Sequence, residues 1–172
     1  MTTIERPHID LIPSFNEFID ELRAHGETVW SPYVAVEGEE PTAFIDRLLA
    51  RATTPEPPLV AESVYWGVVD GNVVGRISLR HRLNENLAKV GGHIGYEVRP
   101  SYRRRGIATE MLRQILITPE ARSLGRLLLT CAPDNVASNK TILSNGGVLE
   151  RVVFVEMVNG DRNHYWIDVL AK

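Results

Sequence analysis

The run Val98-Arg99-Pro100-Ser101-Tyr102-Arg103-Arg104-Arg105-Gly106-Ile107-Ala108-Thr109 carries residue types that could grip a diphosphate. It lies between a segment of strand character, Gly92 to Val98, and one in which Ile107, Met111, Leu112, Ile115 and Leu116 recur at helical spacing. The first N–H groups of a helix have no intrahelical acceptor and sit at the positive end of the macrodipole, so they suit an anion. Gly106 and Ala108 leave room for close approach, and the arginines Arg103, Arg104 and Arg105 can add charge-assisted hydrogen bonds. Taken alone, so short a pattern also describes a basic loop that opens a surface helix, with solvated arginines and a glycine that only turns the chain.

The flanking elements must hold this run in place. His8 to Ile12 reads as a strand stopped by Pro13, after which Ser14 caps a helix that carries Phe15, Phe18, Ile19 and Leu22 on one face up to Gly26. A second helix follows Pro41, with Phe44, Ile45, Leu48 and Leu49 as its apolar stripe, and a Pro-rich loop covers 53–61. Ser63 to Val69 and Asn72 to Leu79 are β-rich runs joined by Asp70-Gly71, a dipeptide suited to the positive φ values of a tight hairpin. Arg126 to Cys131 has the continuous apolar character of a central strand, and Asn135 to Asn145 reads as a helix closed by Gly146-Gly147. Val148 to Val158 and His164 to Leu170 form a last hairpin that turns at Asn159-Gly160-Asp161. The order β-α-α-β-β-β-α-β-α-β-β predicts an α/β (α+β) fold, a mixed sheet covered by helices, with no linker dividing residues 1–172.

Composition narrows the function classes. A chain of 172 residues with 44% hydrophobic and 24% charged residues has the material for one packed domain, and its net charge of -3 gives no global field to attract nucleic acid or an anionic membrane. No apolar stretch approaches the roughly 20 residues a membrane-crossing helix needs. The single cysteine, Cys131, has no internal disulfide partner, and MTTIERPHID has no signal-like apolar region, so the expected compartment is the cytoplasm. The five histidines are scattered and there is no cysteine pair, so no metal site is expected. Gly106-Ile107-Ala108 is not a G-x-G-x-x-G turn, which sets a dinucleotide-binding Rossmann enzyme aside.

Three patterns in order identify a family resemblance. Arg103-Arg104-Arg105-Gly106-Ile107-Ala108 matches a [Q/R]-x-x-G-x-[G/A] turn, His93-Ile94-Gly95-Tyr96-Glu97-Val98-Arg99-Pro100 matches an E-I-G-Y-x-V-x-P strand, and Asn135-x-x-Ser138 with Asn145-Gly146-Gly147 matches an N-x-x-A/S helix ending in glycine. In these the chain resembles the GNAT superfamily of acyl-CoA N-acetyltransferases. The resemblance implies a mostly antiparallel central sheet splayed at a bulge and flanked by helices, with acetyl-CoA as cosubstrate and no metal. It implies that Tyr96 and Val98 offer backbone groups to the pantetheine arm, that Arg103, Arg104, Arg105, Gly106, Ile107, Ala108 and Thr109 hold the pyrophosphate, that Asn135 bonds the pantetheine, and that Ser138 and Lys140 neighbour the adenosine portion. It further implies a small-molecule or peptide amine as acceptor, and a homodimer is common among the proteins it resembles.

The family reaction is direct attack of an amine on the thioester, and alignment supplies much of its acceleration. Two positions depart from the family. His93 stands where many relatives carry a glutamate, and Ile142 where many carry a tyrosine acid. His93 is therefore the first candidate base, since an imidazole titrates near neutral pH; its other reading is a hydrogen-bonded sheet histidine. Glu97 is the second candidate base, or else a solvent-facing strand residue, and Tyr96 and Tyr102 are candidate acids, or else packing residues. Cys131 at the end of an apolar strand reads as an inert buried thiol. Arg80, His81, Asn84, Glu85 and Asn86 form a polar cluster open to two readings, an acceptor site or a solvated loop. Trp30, Tyr33, Trp66 and Trp166 likewise fit an acceptor pocket or the core. Loss of the usual catalytic pair keeps one alternative in view, a GNAT-like module that holds acyl-CoA without turnover.

Overall fold

Alternating apolar residues and a two-residue turn build the first sheet. In the computed structural model, which describes residues 1–55 and 57–169, strands β1 (Thr3–Glu5), β2 (Glu62–Val69), β3 (Asn72–Arg80) and β4 (Ile94–Val98) pair antiparallel in that order. Asp70 and Gly71, at φ 49 and 76, make the expected hairpin between β2 and β3. A second sheet orders β5 (Arg126–Cys131), β7 (Gly160–Asp168) and β6 (Val148–Val155), again antiparallel. Helices α1 (Ile12–Ala24) and α2 (Pro41–Ala50) cover one face of the first sheet, and α4 (Ile107–Ile115) and α6 (Val136–Ser144) pack on the other side. Two short helices complete the chain, α3 (Glu85–Lys89) and α5 (Pro119–Leu124), capped by the side chains of Asn84 and Thr118.

The architecture is the expected α/β (α+β) arrangement, with one correction at its start. His8 to Ile12 is not a strand: a 3-10 turn at Ile9–Leu11 runs straight into α1, and Pro13 occupies the first helical turn, where its missing N–H costs nothing. The strand is earlier, at Thr3–Glu5, and the Ser14 hydroxyl accepts from the Val73 N–H instead of capping its own helix. The last hairpin also departs from expectation: β6 stops at Val155, a 3-10 turn at Glu156–Val158 leads to Asn159, φ 44, and β7 begins at Gly160 rather than His164, while its expected end at Leu170 lies outside the described residues. Among the described residues no helix is long and apolar enough to cross a membrane.

Two cores sandwich the first sheet. Trp66, fully buried, stacks on Phe15 at 4.4 Å between ring centroids in the α1/α2 core, and Met111, Leu112 and Ile115 bury α4 in the other. Gly67 and Gly75 oppose each other across β2 and β3; a Cβ at Gly67 would collide with Met111, and one at Gly75 would collide with the Glu97 carbonyl and crowd Met111. That bare pair seats α4 against the sheet and so fixes the turn that leads into it.

At the edge of β4 a reciprocal pair of hydrogen bonds joins the two sheets. The His93 N–H donates to the Leu128 carbonyl at 2.7 Å, and the Leu128 N–H donates to His93 Nδ1 at 2.9 Å. Beyond this pair β4 continues its register with β3 while β5 pairs with β7, so β4 and β5 part and leave a split. Gly92 lets the chain approach: its φ is +59, and a Cβ there would run into the Leu128 carbonyl. Gly92→Ala should therefore destabilise the fold by roughly 2–4 kcal/mol through strain and collision together, read as a loss in urea midpoint at unchanged slope. A midpoint equal to the parent's would contradict this junction.

Candidate functional site

The turn before α4 is shaped by two left-handed residues, Arg104 at φ 60 and Gly106 at φ 75. Gly106 is the N-cap and no side chain caps this end, so the amides of Ile107, Ala108 and Thr109 have no side-chain acceptor, as an anion site requires. Three ion pairs tie the turn to the first helix and the loop after it. Glu21 of α1 accepts from Arg99 Nε at 2.6 Å and from both the N–H and the hydroxyl of Ser101. Arg99 Nη1 also reaches Glu17, and Arg103 Nη2 reaches Glu27 at 2.7 Å. Burial opposes the Glu21 charge, but Arg99 and Ser101 outweigh it and hold the carboxyl below its usual range. Arg105 Nη2 donates to Ser101 O, whereas Arg104 has no partner among the described residues.

A groove of about 590 Å³ runs along this turn, lined by Tyr96, Glu97, Val98 and Arg103 through Thr109 on one side except Arg105, and by Asn135, Ser138 and Lys140 on the other. Asn135 caps α6, its Oδ1 accepting from the Ser138 N–H, and its position is fixed from behind: Asn139 Nδ2 holds the carbonyls of Ala132, Pro133 and Asn135, and Asn139 Oδ1 accepts from Tyr165 Oη at 2.6 Å. The structure thus brings most of the expected binding residues to one groove. Val98 adds a detail, since its carbonyl accepts from Arg103 Nε at 3.0 Å.

At the split the groove meets a smaller cavity of about 180 Å³, and Tyr96 and Ser138 line both. Successive strand residues face opposite sides, so Tyr96 and Glu97 flank the split from its two faces. The Tyr96 hydroxyl is buried with no hydrogen-bond partner among the described residues, and burial pushes it above its ordinary value although Ser138 and Thr141 stand close. Glu97 faces the α1/α2 side, where its carboxylate meets Arg76 Nη2 at 3.1 Å. His93 lies at the inner end, 8% exposed. The Leu128 N–H on Nδ1 occupies that lone pair and leaves the ring proton on Nε2, and burial with Arg80 nearby pushes the imidazole below its ordinary value. Burial pushes the Cys131 thiol up to about 11, so it is a protonated, unreactive thiol at neutral pH.

Residues that sequence reasoning passed over surround the split on the α1/α2 side. Glu62, 2% exposed, accepts from the Tyr33 hydroxyl and is gripped by Arg51. Arg76, itself buried, stacks on the Tyr33 ring at 3.6 Å. Tyr33 therefore serves this charged cluster, Trp66 serves the core, and Trp30 is exposed. The polar run after β3 divides: Arg80 turns inward to the small cavity, His81 bonds Ser63, and Asn84 to Asn86 begin α3. A buried glutamate opposite arginines was visible only as an E–S–V–Y–W strand start, with nothing local to say it would be enclosed.

A family model described as an acetyltransferase (GNAT) domain matches residues 12–148. No curated protein sequence matches the chain. Among solved structures, the microcin C7 self immunity acetyltransferase MccE, in complex with acetyl-CoA and AMP, superposes with a TM-score of 0.68 at 20% identity, covering 98% of this chain and 92% of that one. The ribosomal-protein-S5-alanine acetyltransferase from Vibrio fischeri gives 0.66 at 17% identity over 98% and 93%. Mycobacterium smegmatis RimJ, in complex with CoA-disulfide, gives 0.65 at 18% identity over 97% and 81%. At these identities the likeness is one of fold.

The His93 ring offers a direct check on the split. Ring-nitrogen NMR should find the Nε2–H form with a titration midpoint below 6.5, because burial disfavours the charged ring. The unfolded ring then binds a proton at higher pH than the folded one, so the stability it contributes is complete above 6.5 and declines as pH falls below it. A proton on Nδ1 would show that the Leu128 bond is absent, and a midpoint above 6.5 would show that burial does not govern the ring.

Proposed function

The chain belongs to the GNAT acetyltransferase family, and from that premise we propose that residues 1–172 form one domain that moves an acetyl group from acetyl-CoA directly to an amine. One observation carries this reading: a single groove joins the uncapped amides before α4 to the Tyr96 phenol at the β4–β5 split. The residues fit the coenzyme. Gly106 has no atom within 4 Å of where a Cβ would stand, so the turn is open to a diphosphate, and the unpartnered Arg104 supplies charge beside it. Asn135, Ser138 and Lys140 line the opposite wall, and Tyr96 and Val98 present the strand along which a pantetheine arm would lie. When bound, acetyl-CoA supplies a thioester carbonyl that an unprotonated amine attacks, giving an amide and a free thiol.

The chain's own residues divide the remaining work. We assign the acid role to Tyr96, whose buried O–H has no hydrogen-bond partner among the described residues and can donate to the departing sulfur. Glu97, on the other flank of the split, is the carboxylate placed to pass the amine proton to solvent. His93 acts through position: its Nδ1 lone pair is in use, so base chemistry there would break the bond that holds the split. Cys131 takes no part, because its thiol is held protonated.

Ile142 and the engaged His93 ring also favour a second reading, a module that binds acyl-CoA without turnover. Thiol release from acetyl-CoA over a screen of amines separates the two, since coenzyme binding by calorimetry without any release supports the second. Under the transferase reading, Gly106→Glu places bulk and negative charge in the diphosphate space and should weaken coenzyme binding by a factor of about 10 or more. Tyr96→Phe should keep that affinity and lower kcat by about 10- to 100-fold. Unchanged turnover in Tyr96→Phe would move the acid elsewhere.

A further inference from the structure

Arg76, Ser78 and Arg80 stand in a row on one face of β3, the first two buried with unmet polar atoms and Arg80 half-buried at the wall of a cavity. Arg76 Nη1 and Ser78 Oγ are both buried without a hydrogen-bond partner among the described residues. Arg80 gives Nη1 to the carbonyls of Gly91 and Gly92 at 3.1 and 3.0 Å, while its Nη2 has no acceptor among the described residues. Gly95 pairs with Ser78 across the ladder and contributes no side chain, so the Arg80 guanidinium lies over it, at the wall of the 180 Å³ cavity.

The charges around this row do not balance. Arg51, Arg76 and Arg80 face Glu62 and Glu97, which leaves one positive charge in excess in a cluster whose Arg51, Arg76 and Glu62 are buried and whose Arg80 borders the cavity. An uncompensated buried charge is costly, and a site that carries one is completed by a monoanion. Resting on the transferase reading above, we propose that the acceptor bears a carboxylate close to its amine, and that Arg80 receives this carboxylate in the cavity beside the split. The short distance follows from the strand: Gly95, under the guanidinium, and Tyr96, at the junction with the coenzyme groove, are consecutive, about 3.8 Å apart at Cα. Amine and carboxylate are then separated by few bonds, as in an α- or β-amino acid. The same positive excess disfavours an ammonium at the split, which selects the neutral amine and rejects polycations.

The test pairs free L-amino acids and β-alanine with their own carboxamides, adds spermidine, and follows thiol release from acetyl-CoA. Carboxylates should be preferred over the matching carboxamides by at least about tenfold in kcat/KM, because one member of each pair leaves the arginine unmet. Arg80→Gln should bring that ratio to within about threefold of unity, mainly through KM, and Arg80→Lys should retain part of it. Since both members of a pair meet the same variant, a merely structural effect of losing Arg80 cancels from the ratio. Equal rates for acid and amide in the parent protein, a ratio unchanged in Arg80→Gln, or no acetylation of any amino acid would each overturn the proposal. Release with carboxamides or spermidine alone would do so while leaving the transferase reading intact; no release and no coenzyme binding would remove both.

Discussion

Two hydrogen bonds between His93 and Leu128 are the point from which the architecture of the site follows. A sheet edge offers unpaired N–H and C=O groups along its whole length, and β4 and β5 could have continued to pair as parallel neighbours. Instead the backbone N–H and the ring of one residue satisfy both polar groups of Leu128, and the ladder ends there. Each bond contributes on the order of 1 kcal/mol, yet an unmet buried N–H or carbonyl would cost more. The residue's backbone and side chain together do what two strand residues would do in a regular pair, so the strands are free to diverge at once. Gly92 makes the approach sterically feasible, and the Gly91 N–H donating to Thr130 Oγ1 extends the seal by one residue.

The split would be useless without a turn held at its outer end. Here a chain of net charge -3 concentrates Arg99, Arg103, Arg104 and Arg105 within seven residues, and repulsion among them is offset by Glu17, Glu21 and Glu27. These glutamates come from α1 and the loop just after it, so the first helix serves as an electrostatic latch as well as a core element. The latch leaves Arg104 uncommitted and the amides of α4 uncapped. Positive charge thus appears at both ends of the site, at the turn and in the Arg51–Arg76–Arg80 cluster, with Glu97 and the neutral side chains of Tyr96, Val98 and Ser138 between them.

Local patterns in the sequence were readable, and long-range ones were not. The Asp70-Gly71 hairpin, the apolar 126–131 strand and the Arg103–Thr109 turn each carry their signal within a dozen residues, and all stand where expected. Pro13 misled because the same residue ends a strand and opens a helix, and the choice was made by Leu11, Phe15 and Phe18 packing into the α1/α2 core. The short helices α3 and α5 span five and six residues, too few to show an apolar period. His93 was legible as an imidazole on the right strand, but the state of its lone pair depends on Leu128, 35 residues away. Glu21 and Glu62 had no local signature, since their roles come from partners brought in by the fold.

The central claim is that one groove, from the α4 amides to the β4–β5 split, is the coenzyme site. Amide NMR during titration with coenzyme A tests it most directly, because the bound phosphates and pantetheine arm would report at the backbone itself. Large, saturable shifts should appear at Gly106, Ile107, Ala108 and Thr109, at Tyr96 and Val98, and at Asn135 and Ser138, with β6 unmoved. Saturable shifts confined to other surfaces, with the amides of 106–109 silent, would contradict the account.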